Sequence, residues 1–154
     1  MKKHLSVMFA IGAMMVGSAA FADQPGKHPH YLHALSDLRW ARANIEKKGG
    51  DAQMKWDESA AVAAIDGAIK RLKDASIDDG KNLDDHPKVD AKVGSGRLHR
   101  GLEGLQAAKK DVNLEEDNAF ADGLRAKANG DIDTAILRVK EGLCNAGDKS
   151  FCPK

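Results

Sequence analysis

His28–Asn44 reads HPHYLHALSDLRWARAN, and its spacing decides the fold. Tyr31, Leu35, Leu38 and Ile45, with Ala34 and Ala41, recur every three or four residues. That is the period of a helix with one buried face. Pro29 suits the first helical position, where a missing N–H costs nothing. Lys47, Lys48, Gly49 and Gly50 then close the segment, because cations favour a helix C-terminus and glycine the position just past it. The pattern predicts a first helix over about 29–48.

The rest of the chain repeats this pattern. A linker, 49–56, leads to Asp57, a candidate N-cap. Val62, Ile65, Ile69 and Leu72, flanked by Ala61, Ala64, Ala68 and Ala75, predict a second helix over about 58–76. The short connection makes the first two helices an antiparallel hairpin. Residues 77–96, IDDGKNLDDHPKVDAKVGSG, hold five aspartates, three glycines and a proline, without periodicity. A loop this long is uncommon in a compact domain, and is either functional or a solvated strap. Leu98, Leu102, Leu105, Ala108 and Val112 predict a third helix over about 97–112. Asn113 with Glu116 has the spacing of a capping box for a fourth. Ala121, Leu124, Ala128, Ile132, Ala135, Val139 and Leu143 carry that helix to the end. Gly123 and Gly130 weaken it, and a bend is expected near Asn129-Gly130.

A shift of 67 residues aligns the two halves without a gap. Leu35, Leu38, Ala41, Arg42 and Ile45 fall on Leu102, Leu105, Ala108, Lys109 and Val112. Ile65-Asp66-x-Ala68-Ile69-x-Arg71 falls on Ile132-Asp133-x-Ala135-Ile136-x-Arg138. Apolar matches arise in any pair of amphipathic helices, but the shared Asp and Arg lie outside the stripe. The expected fold is therefore an all-α, antiparallel four-helix bundle built from two duplicated αα-hairpins.

The first 22 residues read as a secretory signal peptide. They have a basic start (Lys2, Lys3), an apolar run from Leu5 to Gly17, and the small-x-small cleavage pattern Ala20-Phe21-Ala22. The bundle is then expected over 23–143, with a tail over 144–154 and a periplasmic or secreted location. No later segment is apolar enough to anchor the cleaved protein in a membrane. Cleavage leaves 22 basic against 23 acidic residues, a formal charge of −1. A near-neutral, mixed surface gives no electrostatic footprint for nucleic acid. Cys144 and Cys152 in an oxidising compartment predict a disulfide. A thiolate pair is the sharper alternative, but the spacing is not that of a zinc ribbon.

Five histidines follow the cleavage site: His28, His30, His33, His86 and His99. If the third helix runs antiparallel to the second, all five gather at one pole with Asp78, Asp79, Asp84 and Asp85. Cys144 would lie at the same end. His30, His33 and Asp37 form one stripe on the first helix, roughly 100° around from the apolar centre. Trp40 shares that sector, farther from the core, where the long loop could cover it. Imidazole and carboxylate together suit zinc, copper or nickel. The expected ligand set is His28, His30, His33, Asp37, Asp78, Asp79, His86 and His99.

Missing motifs narrow the chemistry. No Glu-x-x-His, Cys-x-x-Cys-His, phosphate loop or nucleophile elbow occurs. Non-covalent haem is disfavoured, because the fourth helix has no histidine and Met54, in a linker, is the one methionine after the leader. No catalytic residues are assigned.

HPHYLHALSDLRWAR and DDGKNLDDHP resemble the two signatures of a family of small exported bacterial proteins without established function. Its members pair an HPxYLHALSDLRxAR helix with a DDGKNxxDHP loop. The resemblance extends to about Leu143 and leaves the cysteine tail outside. It implies an exported helical protein and directs attention to His28, His33, Asp37, Asp78, Asp79, His86 and His99. His30 falls at a variable position of the motif. The architecture also resembles small periplasmic metal-binding bundles and b-type cytochrome bundles, by analogy of fold alone.

The expected function is therefore a non-enzymatic, exported transition-metal binder, a buffer or carrier. Two alternatives are a metal-free interaction or stress protein, with a partner surface formed by the long loop and Trp40, and a haem-binding electron carrier.

Overall fold

A computed structural model of the chain describes residues 29–46, 56, 58–78, 80, 82–84, 86, 88–89, 96–114 and 119–153. The leader, His28, Asp57, Asp79, Asp85 and Glu116 lie outside these residues. Four helices form a bundle: α1 (Pro29–Ile45), α2 (Ser59–Asp78), α3 (Arg97–Leu114) and α4 (Ala119–Asn145). A 3₁₀ turn, η1 (Lys149–Phe151), follows. Among the described residues no helix is long and apolar enough to cross a membrane.

The apolar stripes meet in one core. Tyr31, Leu35, Leu38, Ile45, Ile65, Leu72, Leu105, Val112, Ile132 and Val139 are fully buried. Alanines fill the space between them, with Ala34, Ala41, Ala61, Ala68, Ala75, Ala108, Ala121, Ala128 and Ala135 fully buried. Small side chains let the helices approach closely and keep packing dense. Val62, Ile69 and Leu124 lie at the margin, half-buried against this core.

Each helix packs mainly on two neighbours, in the ring order α1, α2, α4, α3. Arg42 on α1 bonds Asp66 on α2 at 2.7 Å, and Lys109 on α3 bonds Asp133 on α4. These are the same positions 67 residues apart, so each hairpin carries the same cross-link. Arg71 of α2 bonds Asp131 of α4.

The seam between α1 and α3 corrects the expected chain path. Arg97, the first residue of α3, donates to the carbonyls of Ile45 and Glu46 at the end of α1. Arg100 donates to Asn44 Oδ1 at 2.9 Å. The start of α3 therefore lies at the end of α1, and α3 runs antiparallel to α1 and parallel to α2. Asp78 and Arg97, the two ends of the long connection, therefore lie at opposite ends of the bundle. That span is what its length permits, since extended chain covers about 3.3 Å per residue against 1.5 Å in a helix. The bundle thus has a histidine end, where α1 begins and α2 ends, and a disulfide end, where α1 ends and α3 begins.

Glycine makes this seam possible. A Cβ on Gly104 would lie 2.9 Å from Trp40 Cε3, 3.0 Å from Ala41 Cβ and 3.1 Å from the Asp37 carbonyl. Trp40 is therefore packed on α3. Gly142 does the same for Trp56, whose Cδ2 would lie 2.7 Å from an added Cβ.

One local expectation also changes. Asn113 does not cap α4, because it sits inside α3, where its Oδ1 accepts from Asn129 Nδ2 at 2.9 Å. The helix α4 is continuous through Gly123 and Gly130.

These environments predict opposite outcomes for two glycine substitutions. Gly104→Ala should lower stability by about 1–2 kcal/mol, because overpacking outweighs the gain in helix propensity. Gly130→Ala, with nothing within 4 Å of the added Cβ, should raise stability by about 0.5–1 kcal/mol. Urea unfolding of both variants checks the pair.

Candidate functional site

The reversed α3 divides the expected pole. His30 and His33 occupy the first two turns of α1 at the histidine end, and both are half-buried. The Arg42–Asp66 pair fixes the register of α1 against α2. Moving equal steps along the two antiparallel helices from that pair brings His30 level with Asp78, the last residue of α2. These donors share one end. Asp78 is exposed, so its carboxylate faces solvent at the mouth of that end.

Asp37 differs from its expected place at the core's edge: it is fully buried. Helix α1 packs on both α2 and α3, so its buried arc is wider than that of a helix with one neighbour. A residue 100° from the stripe centre then still falls inside. It lies one turn from His33 on the same side of the helix.

His86 is exposed and tied to α1, its Nδ1 lying 3.1 Å from Arg39 Nη1. A guanidinium only donates, so Nδ1 accepts and the neutral ring carries its proton on Nε2. A metal at either nitrogen would require the imidazole to leave Arg39. Arg39 offers no metal-ligating chemistry, which is why it escaped the sequence pattern.

His99 lies at the disulfide end, away from the other histidines. Its Nε2 is 3.1 Å from Asp148 Oδ2, and its ring meets the edge of Phe151 with centroids 5.9 Å apart. The backbone aims Asp148 there. At the end of α4, Asp148 N bonds the Leu143 carbonyl and Gly147 N bonds that of Cys144. This is a Schellman closure with Gly147 at φ 104°. Asp148 then caps η1, accepting from Ser150 N at 3.2 Å and Ser150 Oγ at 2.6 Å. Cys144 and Cys152 close the loop as a disulfide, with Cα atoms 5.0 Å apart. In the chain-entropy account, so small a ring contributes roughly 2–3 kcal/mol. Asp148 and Ser150 were missed in the sequence. Gly147 just past a helix, followed by Asp-x-Ser, was the available signal.

Among the described residues no group of three or more His, Cys, Asp or Glu stands ready to hold a metal ion. The chain matches no family model, no curated protein and no solved structure.

The Asp148 carboxyl is held below the usual carboxylate range, first by the Ser150 hydroxyl and then by His99. A depressed folded-state value stabilises the folded chain above the unfolded carboxylate range, and this contribution disappears as pH falls through the folded value. Ser150→Ala removes the larger cause. The Asp148 titration, followed by carboxyl-carbon NMR, should move upward and its acid-side stabilisation should shrink.

Proposed function

We propose that this protein binds a transition-metal ion (copper, zinc or nickel) at its histidine end, as an exported buffer or carrier rather than an enzyme. The observation that carries this reading is the antiparallel register of α1 and α2. It sets the His30 and His33 turns of α1 beside the Asp78 end of α2. His28 and Asp79 adjoin those turns in sequence and complete the donor set. Asp37, one turn from His33, is the carboxylate to orient that imidazole.

Donors that converge only on binding cost ordering free energy, which lowers affinity and speeds exchange. Those are the properties of a carrier and not of a structural site. His86 joins the set only by releasing Arg39, and His99 is excluded from it by the path of α3.

One observation favours the metal-free alternative. Ile77, Leu114 and Phe120 are 60%, 52% and 63% exposed. They sit at the end of α2, the end of α3 and the start of α4, all at the histidine end. Grouped exposed apolar side chains mark interaction surfaces.

Metal analysis by mass spectrometry, on untagged protein prepared without chelator, tests the first reading. Near-stoichiometric copper, zinc or nickel is expected. The double variant His30→Ala/His33→Ala should lose affinity at least ~10-fold, while His99→Ala in the oxidised protein should bind as the parent does. A protein that carries no metal and takes up none would reject this reading. Partner capture lost in Phe120→Asp would then support the apolar surface.

A further inference from the structure

The ring closed by Cys144–Cys152 is shaped by its own bonds. Gly147 N bonds the Cys144 carbonyl, Phe151 N bonds that of Asp148, and Cys152 N bonds that of Lys149. Asp148 accepts from the amide and hydroxyl of Ser150. On α3 the ring is seated at His99. The imidazole Nε2 lies 3.1 Å from Asp148 Oδ2, and the ring meets the edge of Phe151 with centroids 5.9 Å apart. The other edge of the imidazole, Nδ1, lies beside Gly96 at the start of α3. Phe151 also packs at the margin of the core, but no side chain of the ring is fully buried.

This seat is weak when taken without the covalent bond. The side chains of His99 and Asp148 are 38% and 34% exposed, and polar pairs open to water contribute little. One aromatic edge contact adds a modest term. Against them stands the ordering of every residue between the two cysteines, each of which gives up backbone freedom. The S–S bond decides the balance, because it removes most of that freedom before the ring is seated. Neither sulfur is sealed off: Cys144 and Cys152 are both only partly buried, so a reductant reaches them.

We propose that Cys144–Cys152 is a redox-sensitive clasp. The oxidised ring holds the C-terminal tail on α3, and reduction releases it, uncovering His99 and Phe151 while the four helices stay folded. A dithiol reductant supplies two electrons and two protons. The S–S bond breaks, both sulfurs become thiols, and the reductant closes to its own disulfide. The helices do not depend on the ring, since the fully buried core is made of residues from α1 to α4 alone. The two forms therefore differ at one end of the bundle. The clasp involves no metal and stands independently of His30 and His33.

The test follows the His99 ring protons by NMR, together with hydrogen exchange of the backbone amides. The sample is the full mature chain before and after reduction by a water-soluble phosphine. The phosphine takes the oxygen of one water molecule, whose two protons complete the thiols. In the oxidised protein the His99 protons should carry a ring-current shift that Phe151→Leu removes. Reduction should remove the same shift. The amides of Asp148, Phe151 and Cys152 should then exchange at least ~10-fold faster, while the helix amides keep their protection. Cys144→Ser/Cys152→Ser should show the reduced pattern without any reductant, and reoxidation of the parent should restore the seat.

Either of two results overturns the proposal. In one, the reduced protein and the double serine variant both keep the His99 shift and the slow tail exchange, so the S–S bond is dispensable to the seat. In the other, the helix amides lose protection together with the tail, so the bond staples the whole bundle and is no clasp.

Discussion

The close approach of α3 to α1 is the constraint on which the rest of the molecule depends. Gly101 and Gly104 remove side chains where Ile45, Trp40 and the α1 backbone need room. With the helices this near, Arg97 reaches the last carbonyls of α1 and Arg100 reaches Asn44. A helix C-terminus leaves carbonyls without intrahelical donors, and here α3 supplies a charged one. That contact exists only if α3 starts where α1 ends. The direction of α3, the long return of the chain from α2 and the separation of His99 from His30 and His33 all follow from it.

This explains why the fold was largely legible in the sequence and the site was not. An apolar stripe states which face of a helix is buried, and the stripes of α1 and α3 lie wholly in the core, while Val62, Ala64 and Ile69 of α2 and Leu124 of α4 stop at its margin. It does not state which way the helix points, because the same stripe packs in either direction. Direction was carried by residues that the period passes over: Gly101, Gly104 and the arginines at the start of α3. The histidine pole was built on direction, so it came apart. Asp37 failed for a related reason, since an ideal helical wheel counts one neighbour and α1 has two.

The match between the halves extends beyond the stripe. Arg42–Asp66 and Lys109–Asp133 join their hairpins at positions 67 apart. Exposed ion pairs of this kind contribute about 1 kcal/mol or less, so the demands of stability alone do not require the same pair twice. The halves differ where the seam is tightest: Ala34 and Asp37 stand at the positions equivalent to Gly101 and Gly104. A symmetric seam would need either four glycines or none. The observed one assigns the small residues to α3 and the bulk, Trp40 and Ile45, to α1.

That asymmetry gives the two ends different chemical characters. At the histidine end His30, His33 and Asp37 lie on α1 and Asp78 lies on α2. Any ligand there must draw the termini together, so occupancy is coupled to the local order of α1 and α2. At the disulfide end a ring of nine residues, closed by Cys144–Cys152, holds Asp148 and Phe151 against His99. The bundle separates the two ends by about 25 Å, the length of α1 at 1.5 Å per residue. At that distance, with solvent and several turns of packed alanine between them, direct coulombic coupling between charges at the two ends is screened. Any communication between the ends would have to pass through the packing of α1 against α3.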